Sequence, residues 1–105
     1  MTELFQKIAD GKDVPEGQSK VFEISGEKVA LCNVAGKYYA VADLCSHDDG
    51  PLGEGELVGD QIECPRHGAR FDLNTGAAMC LPAVMPIPAY NVEVRGQEIW
   101  IGARK

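Results

Sequence analysis

Turn residues cut this chain into apolar runs too short for helices, and that punctuation leaves β-structure as the fold it can support. Strands are predicted at Leu4–Ala9, Lys20–Ile24, Lys28–Val34, Lys37–Ala42, Gln61–Cys64, Arg70–Leu73, Asn91–Arg95 and Glu98–Gly102. Ser25-Gly26, Ala35-Gly36 and Gly96-Gln97 stand between neighbouring runs as hairpin turns, where glycine supplies positive φ at no steric cost. Helical periodicity is nearly absent. Three stretches read as irregular: residues 10–19, with Asp10-Gly11 and Pro15-Glu16-Gly17; Leu44–Gly55; and Leu81–Ala89. The last carries Pro82, Pro86 and Pro88, which cannot sit in a central strand. The chain has no internal repeat, low-complexity tract or linker.

A length of 105 residues predicts one domain, 1–105, with a modest core. Sixteen acidic residues against ten basic ones give a formal charge of −6, and no basic run offsets it. That charge argues against nucleic acid and anionic membrane as partners and is compatible with basic protein surfaces. No stretch approaches the roughly 20 apolar residues of a membrane span. The N-terminal residues Met-Thr-Glu-Leu-Phe-Gln-Lys-Ile-Ala-Asp lack the order of a signal peptide, so the cytoplasm is the expected compartment. Four cysteines there are ligands or free thiols rather than a disulfide framework.

Both histidines of the chain lie within three residues of a cysteine, in Cys45-Ser46-His47 and Cys64-Pro65-Arg66-His67. The spacing is C-x-H-x16-C-x2-H. Two thiolates and two imidazoles form a complete ligand set for zinc or for an iron–sulfur centre. Tyr39-Ala40-Val41 precedes the first pair and Gln61-Ile62-Glu63 the second, so each pair opens a turn at a strand end. Gly50-Pro51 and Gly68 follow, and backbone N–H groups in such turns form anion-binding concavities suited to sulfide. Zinc stays open on residue chemistry, although zinc modules usually begin with C-x2–4-C knuckles, which this spacing fits poorly.

Cys45-x-His47 with Cys64-Pro65-x-His67-Gly68 resembles the Rieske [2Fe–2S] signature. The resemblance continues through Gly36–Asp43, like the strand into the first Rieske loop, and through Phe71-Asp72-Leu73 with Thr75-Gly76 after the second. Leu81-Pro82-Ala83 is similar to the proline loop that covers the cluster, and Tyr90–Gly102 to the closing hairpin. It implies an all-β fold of stacked antiparallel sheets, with a cluster-binding subdomain of two loops, about residues 43–82, inserted in a β-sandwich base. It also implies that Cys45, His47, Cys64 and His67 hold one [2Fe–2S] cluster, the histidines on one iron and the cysteines on the other.

With two neutral imidazoles the oxidised cluster is neutral, whereas four cysteines would leave it at about −2, so histidine ligation raises the potential. Rieske centres span roughly −150 to +300 mV, against about −400 mV for all-cysteine plant-type clusters. The high-potential members carry a disulfide between the cluster loops, at positions matching Gly50 and Arg66, and hydroxyls at positions matching Ala69 and Phe71. This chain has none of these, which points to the low end of the range. The resemblance is therefore to the ferredoxins of bacterial ring-hydroxylating dioxygenases. It implies a soluble, monomeric one-electron carrier between a flavin-dependent ferredoxin reductase and a terminal oxygenase. The chain is not expected to be an enzyme itself, because both histidines are committed and none is left for a mononuclear iron. The alternatives are a small subunit of the nitrite reductase type, an iron–sulfur accessory protein and a zinc module.

Several other residues carry expectations. Cys32, on a face with Ala30 and Val34, reads as a buried inert thiol, and Cys80 as structural, with a Cys32–Cys80 disulfide disfavoured. Asp48 and Asp49 read as solvated loop charges that could also guide a basic partner. Arg66 reads equally as an exposed residue or a screen for the reduced cluster. Trp100 is expected in the core, and Pro82 in the loop that shields the cluster.

Overall fold

The computed structural model describes residues 5–24, 26–44, 52–53, 55–65, 68–80 and 85–104. Ten strands and one 3₁₀ turn are formed among them: β1 Gln6–Asp10, the 3₁₀ turn Gly11–Asp13, β2 Ser19–Ile24, β3 Glu27–Val34, β4 Lys37–Ala42, β5 Glu56–Val58, β6 Gln61–Glu63, β7 Arg70–Asp72, β8 Ala78–Cys80, β9 Ala89–Arg95 and β10 Glu98–Arg104. The fold is all-β and antiparallel, as expected. A six-stranded sheet has the order β1-β10-β9-β4-β3-β2, and a four-stranded sheet the order β5-β6-β7-β8. The smaller sheet comes, in chain order, between β4 and β9, which are themselves hydrogen-bonded neighbours.

Strands β3 and β4 do not alternate apolar and polar because both of their faces are covered. Val29 and Leu31 of β3 and Ala40 of β4 face one core, with Val14, Ile99 and Ile101. Ala30, Cys32, Tyr39 and Val41 face the other, against Ile62, Cys64, Phe71 and Leu73 of the smaller sheet. The period of two along a strand thus sorts one apolar run into two cores. The second core joins the sheets.

The β3–β4 turn places Ala35 at φ 53 and Gly36 at φ 90, so both central residues are left-handed, as a two-residue hairpin loop of the primed kind requires. Asn33, buried just before it, accepts the Gly36 N–H at 2.9 Å and donates to the Val14 carbonyl at 2.8 Å. One amide side chain therefore fixes the hairpin and ties the 10–19 stretch to it. Burying an amide is tolerable here because these bonds replace water.

All eight predicted runs fall on strands, with Leu4 outside the described residues. Strands β5 and β8 were not legible in the sequence. Each has three residues, too few to show a period, and each forms by pairing with β6 or β7. The expectation for Trp100 is corrected. In β10 it is Ile99 and Ile101 that enter the core, while Trp100 lies half-buried on the other face, with the Arg95 guanidinium 4.4 Å from its ring centroid. Cys32 is fully buried, and its thiol is free. Cys80 ends β8 opposite Arg70.

Candidate metal centre

Strand β6 delivers Cys64 to its end. The Cys64 N–H donates to the Ala69 carbonyl at 2.6 Å, and the Gly68 N–H donates to the Cys64 carbonyl at 3.1 Å. Gly68, at φ 75, takes the left-handed conformation that lets the chain reverse there. Residues 64–69 thus close a tight loop whose arms continue into the β6–β7 ladder, Glu63 opposite Arg70 and Ile62 opposite Phe71. The Cys64 side chain is 1% exposed and packs in the intersheet core beside Leu52, Ala69 and Phe71. Among the described residues, none forms a disulfide or a side-chain hydrogen bond with its sulfur. What separates Cys64 from the equally buried Cys32 is its place at a strand end, in a turn closed by its own backbone, rather than inside a strand.

Two further chain segments are pinned at the same end of the intersheet core. Asp43 follows β4, and its Oδ1 accepts the N–H groups of Leu52 at 2.7 Å and Gly53 at 2.6 Å. The stretch containing Cys45 and His47 therefore starts and ends at one carboxylate. After the proline-rich stretch, the Ile87 N–H donates to the Gly76 carbonyl at 2.8 Å, and the Ala42 N–H donates to the Pro88 carbonyl at 2.9 Å. Gly76 has no space for a side chain, since a Cβ there would overlap the Ile87 carbonyl. The ends of β4 and β6 and the start of β9 are in this way held by short bonds and close backbone packing.

Of the four expected ligands, Cys64 is described; Cys45, His47 and His67 lie outside the described residues. So do Asp48, Asp49, Gly50, Arg66, Leu81, Pro82 and Ala83. Among the described residues no group of three metal-ligating side chains is assembled. Ala69 and Phe71 are fully buried in the core that contains Cys64. Sequence reasoning overlooked Asp43, Gly53 and Gly55. The signal available was a carboxylate two residues before a cysteine, followed by paired glycines, but nothing in it named the backbone groups that the carboxylate binds.

The expected donor set, two thiolates and two imidazoles, suits an iron–sulfur centre, and the one described member, Cys64, is buried and outside any disulfide. Strand-end cysteine, closed turn and two antiparallel sheets are compatible with a Rieske-type protein. The Rieske [2Fe-2S] domain matches residues 5–91, and the chain belongs to that family, whose cofactor is one [2Fe–2S] cluster. Within the family it is similar to ferredoxin components. It is 47% identical over 90 residues to the 3-phenylpropionate/cinnamic acid dioxygenase ferredoxin subunit of Shigella boydii, which covers 85% of this chain and 84% of that one. The ferredoxin of carbazole 1,9a-dioxygenase from Nocardioides aromaticivorans superposes with a TM-score of 0.86 at 35% identity, over 96% of this chain and 97% of that chain. A chain in the complex of reduced oxygenase and oxidized ferredoxin in carbazole 1,9a-dioxygenase superposes with a TM-score of 0.89 at 31% identity, over 99% and 98%. The chain is thus an electron-transfer protein of the Rieske ferredoxin type and not itself an oxidising enzyme.

Proposed function

We propose that Cys45, His47, Cys64 and His67 hold the cluster, and that the protein carries single electrons from a flavin-dependent ferredoxin reductase to a terminal oxygenase of the ring-hydroxylating type. The observation that carries this reading is Cys64: a buried sulfur outside any disulfide, at a strand end, in a turn closed by its own backbone. The organisation read from the sequence, cluster-binding loops at about residues 43–82 inserted in a β-sandwich base, is part of the proposal. Support for the oxygenase comes from relatives whose names make them ferredoxin components of dioxygenases. The reductase, the monomeric state and the cytoplasm complete the proposal. No helix among the described residues is long and apolar enough to cross a membrane.

The bound cluster supplies one-electron redox chemistry. The protein's own residues supply the surroundings. Leu52, Ala69 and Phe71 keep the Cys64 end of the site dry, and a dry site lowers the solvent rearrangement that accompanies a change of charge. Backbone hydrogen bonds from the Cys64 N–H to Ala69 and from the Gly68 N–H to the Cys64 carbonyl close the turn that presents Cys64. Because Ala69 and Phe71 offer no hydroxyl, the site has no hydrogen bond from either side chain to favour the more negative reduced state, which keeps the potential low.

The test is to purify the protein without chelator and record visible absorption and EPR spectra untreated, with ascorbate and with dithionite. A coloured protein that resists ascorbate and gives a rhombic Rieske-type signal with dithionite is expected. Complete reduction by ascorbate would overturn the low potential while sparing the cluster. Colourless protein with stoichiometric zinc and no acid-labile sulfide, even after anaerobic reconstitution, would overturn the ligand assignment and the carrier function with it.

A further inference from the structure

The segment with Cys45 and His47 and the strand with Cys64 come from different parts of the chain, so something must fix one against the other. A single carboxylate bridges the described residues on either side of the first segment. Asp43 Oδ1 accepts two consecutive backbone N–H groups, from Leu52 and Gly53, and closes the base of the first segment across nine residues of chain. The Asp43 N–H in turn donates to the Lys28 carbonyl of β3 at 3.0 Å, so the carboxylate is anchored to the larger sheet.

The other side of this clamp is wedged between the two sheets. The Gly53 carbonyl accepts the Ser19 hydroxyl of β2, and a Cβ on Gly53 would overlap Val21. Two residues on, the Gly55 N–H donates to the Leu52 carbonyl at 2.9 Å, and a Cβ on Gly55 would overlap the carbonyl of Glu63, the residue before Cys64. Leu52 itself is fully buried in the core that holds Cys64. The chain leaving the first segment thus lies against the backbone that delivers the second. Moving Asp43 off Leu52 and Gly53 would release the first segment from this fixed point.

We propose that Asp43 is a positioning residue for the cluster: its carboxylate oxygen ties the chain before residue 45 to the chain at Leu52 and Gly53, which packs against the strand that delivers Cys64. The role needs an oxygen acceptor at that position and does not need the charge. It rests on the ligand assignment above.

The charge and the acceptor are separated by comparing Asp43→Asn, which keeps an oxygen acceptor, with Asp43→Ala, which does not. Both remove the same negative charge, so a change common to the two reports charge, and a difference between them reports the clamp. Cluster release from the holoprotein into excess chelator is followed by visible absorbance, and the dithionite-reduced EPR spectrum is recorded for each. Asp43→Ala is expected to release its cluster at least tenfold faster than the parent and to broaden the EPR lines. Asp43→Asn should stay within about twofold of the parent with unbroadened lines. Failure of Asp43→Ala to load at all, with its apo form as folded by circular dichroism as the parent apo form, also supports the proposal if Asp43→Asn loads. Equal behaviour of the two variants, whether both resemble the parent or both fail, overturns it. So does an apo Asp43→Ala that is unfolded where parent apo protein is folded, which would make Asp43 a residue of the fold alone. A parent protein without a cluster would sink the ligand assignment instead, and the two failures are therefore distinct.

Discussion

Cys32 stands on β3 between Ala30 and Val34 and faces the smaller sheet from a fully buried position. Burial pushes its thiol from an ordinary 9.0 up to about 12. The folded state therefore keeps the proton where the unfolded chain has lost it, and stability is linked to pH accordingly. Below pH 9 the contribution is fully present; from pH 9 to about 12 it is lost progressively, by about 1.4 kcal/mol for each pH unit. Cys32→Ala should cost about 1 kcal/mol at neutral pH for the deleted group and then show a shallower alkaline decline than the parent in urea unfolding. Parallel declines would show that this thiol does not titrate on unfolding. The alternation that placed Cys32 correctly also misplaced Trp100, and for one reason: a period of two says that a strand has two faces, not which is covered. Ile99 and Ile101 took the core, and the indole stacked beneath Arg95. Asp43 was unreadable for a different reason. Its partners are backbone N–H groups nine and ten residues away, and backbone groups carry no sequence signature.

Among the elements, the eight runs with visible alternation or continuous apolar character were legible, and the two three-residue strands were not. β5 exists because Leu57 packs inward beside Ile62 while its backbone pairs with β6. Its other face carries a conflict. Glu56 lies directly opposite Glu63, and Glu63 lies opposite Arg70 in the next strand, with the Arg70 Nε 3.0 Å from a Glu63 oxygen. Arg70 pairs with Glu63, no ion pair is formed by Glu56 among the described residues, and like charges directly opposite weaken a sheet. Glu56→Lys should relieve that repulsion and stabilise the protein by about 0.2–1 kcal/mol, read as a rise in the thermal midpoint. The gain should disappear when Glu63→Gln is also present, because the new lysine then has no opposing carboxylate. A gain that persists in the Glu63→Gln background would place its origin elsewhere.

At the scale of the whole molecule, the retained Glu56–Glu63 conflict belongs to a larger asymmetry. Residues 43–82 contain eight of the 16 acidic residues and two of the ten basic ones, so the whole excess of six negative charges lies in that part. The other 65 positions balance eight acids against eight bases. Several of those acids are paired in space: Asp10 and Glu98 with Lys7, Glu93 with Arg95, and Glu27 with Arg104. A carrier whose charge is concentrated in one part of the chain turns that part toward a basic partner during encounter, which raises the association rate more than the final affinity. Electron transfer from the reduced protein to cytochrome c, a basic haem protein used as a probe, should therefore slow as ionic strength rises. Glu56→Lys should slow it several-fold at low salt even though the variant is more stable. Glu93→Lys makes the same change in net charge within the balanced part, and it should alter the rate less than about twofold. Near 1 M salt, where charges are screened beyond about 3 Å, the three proteins should converge. If both variants slow the reaction equally at low salt, only the net charge matters, and the asymmetry has no part in orienting the encounter.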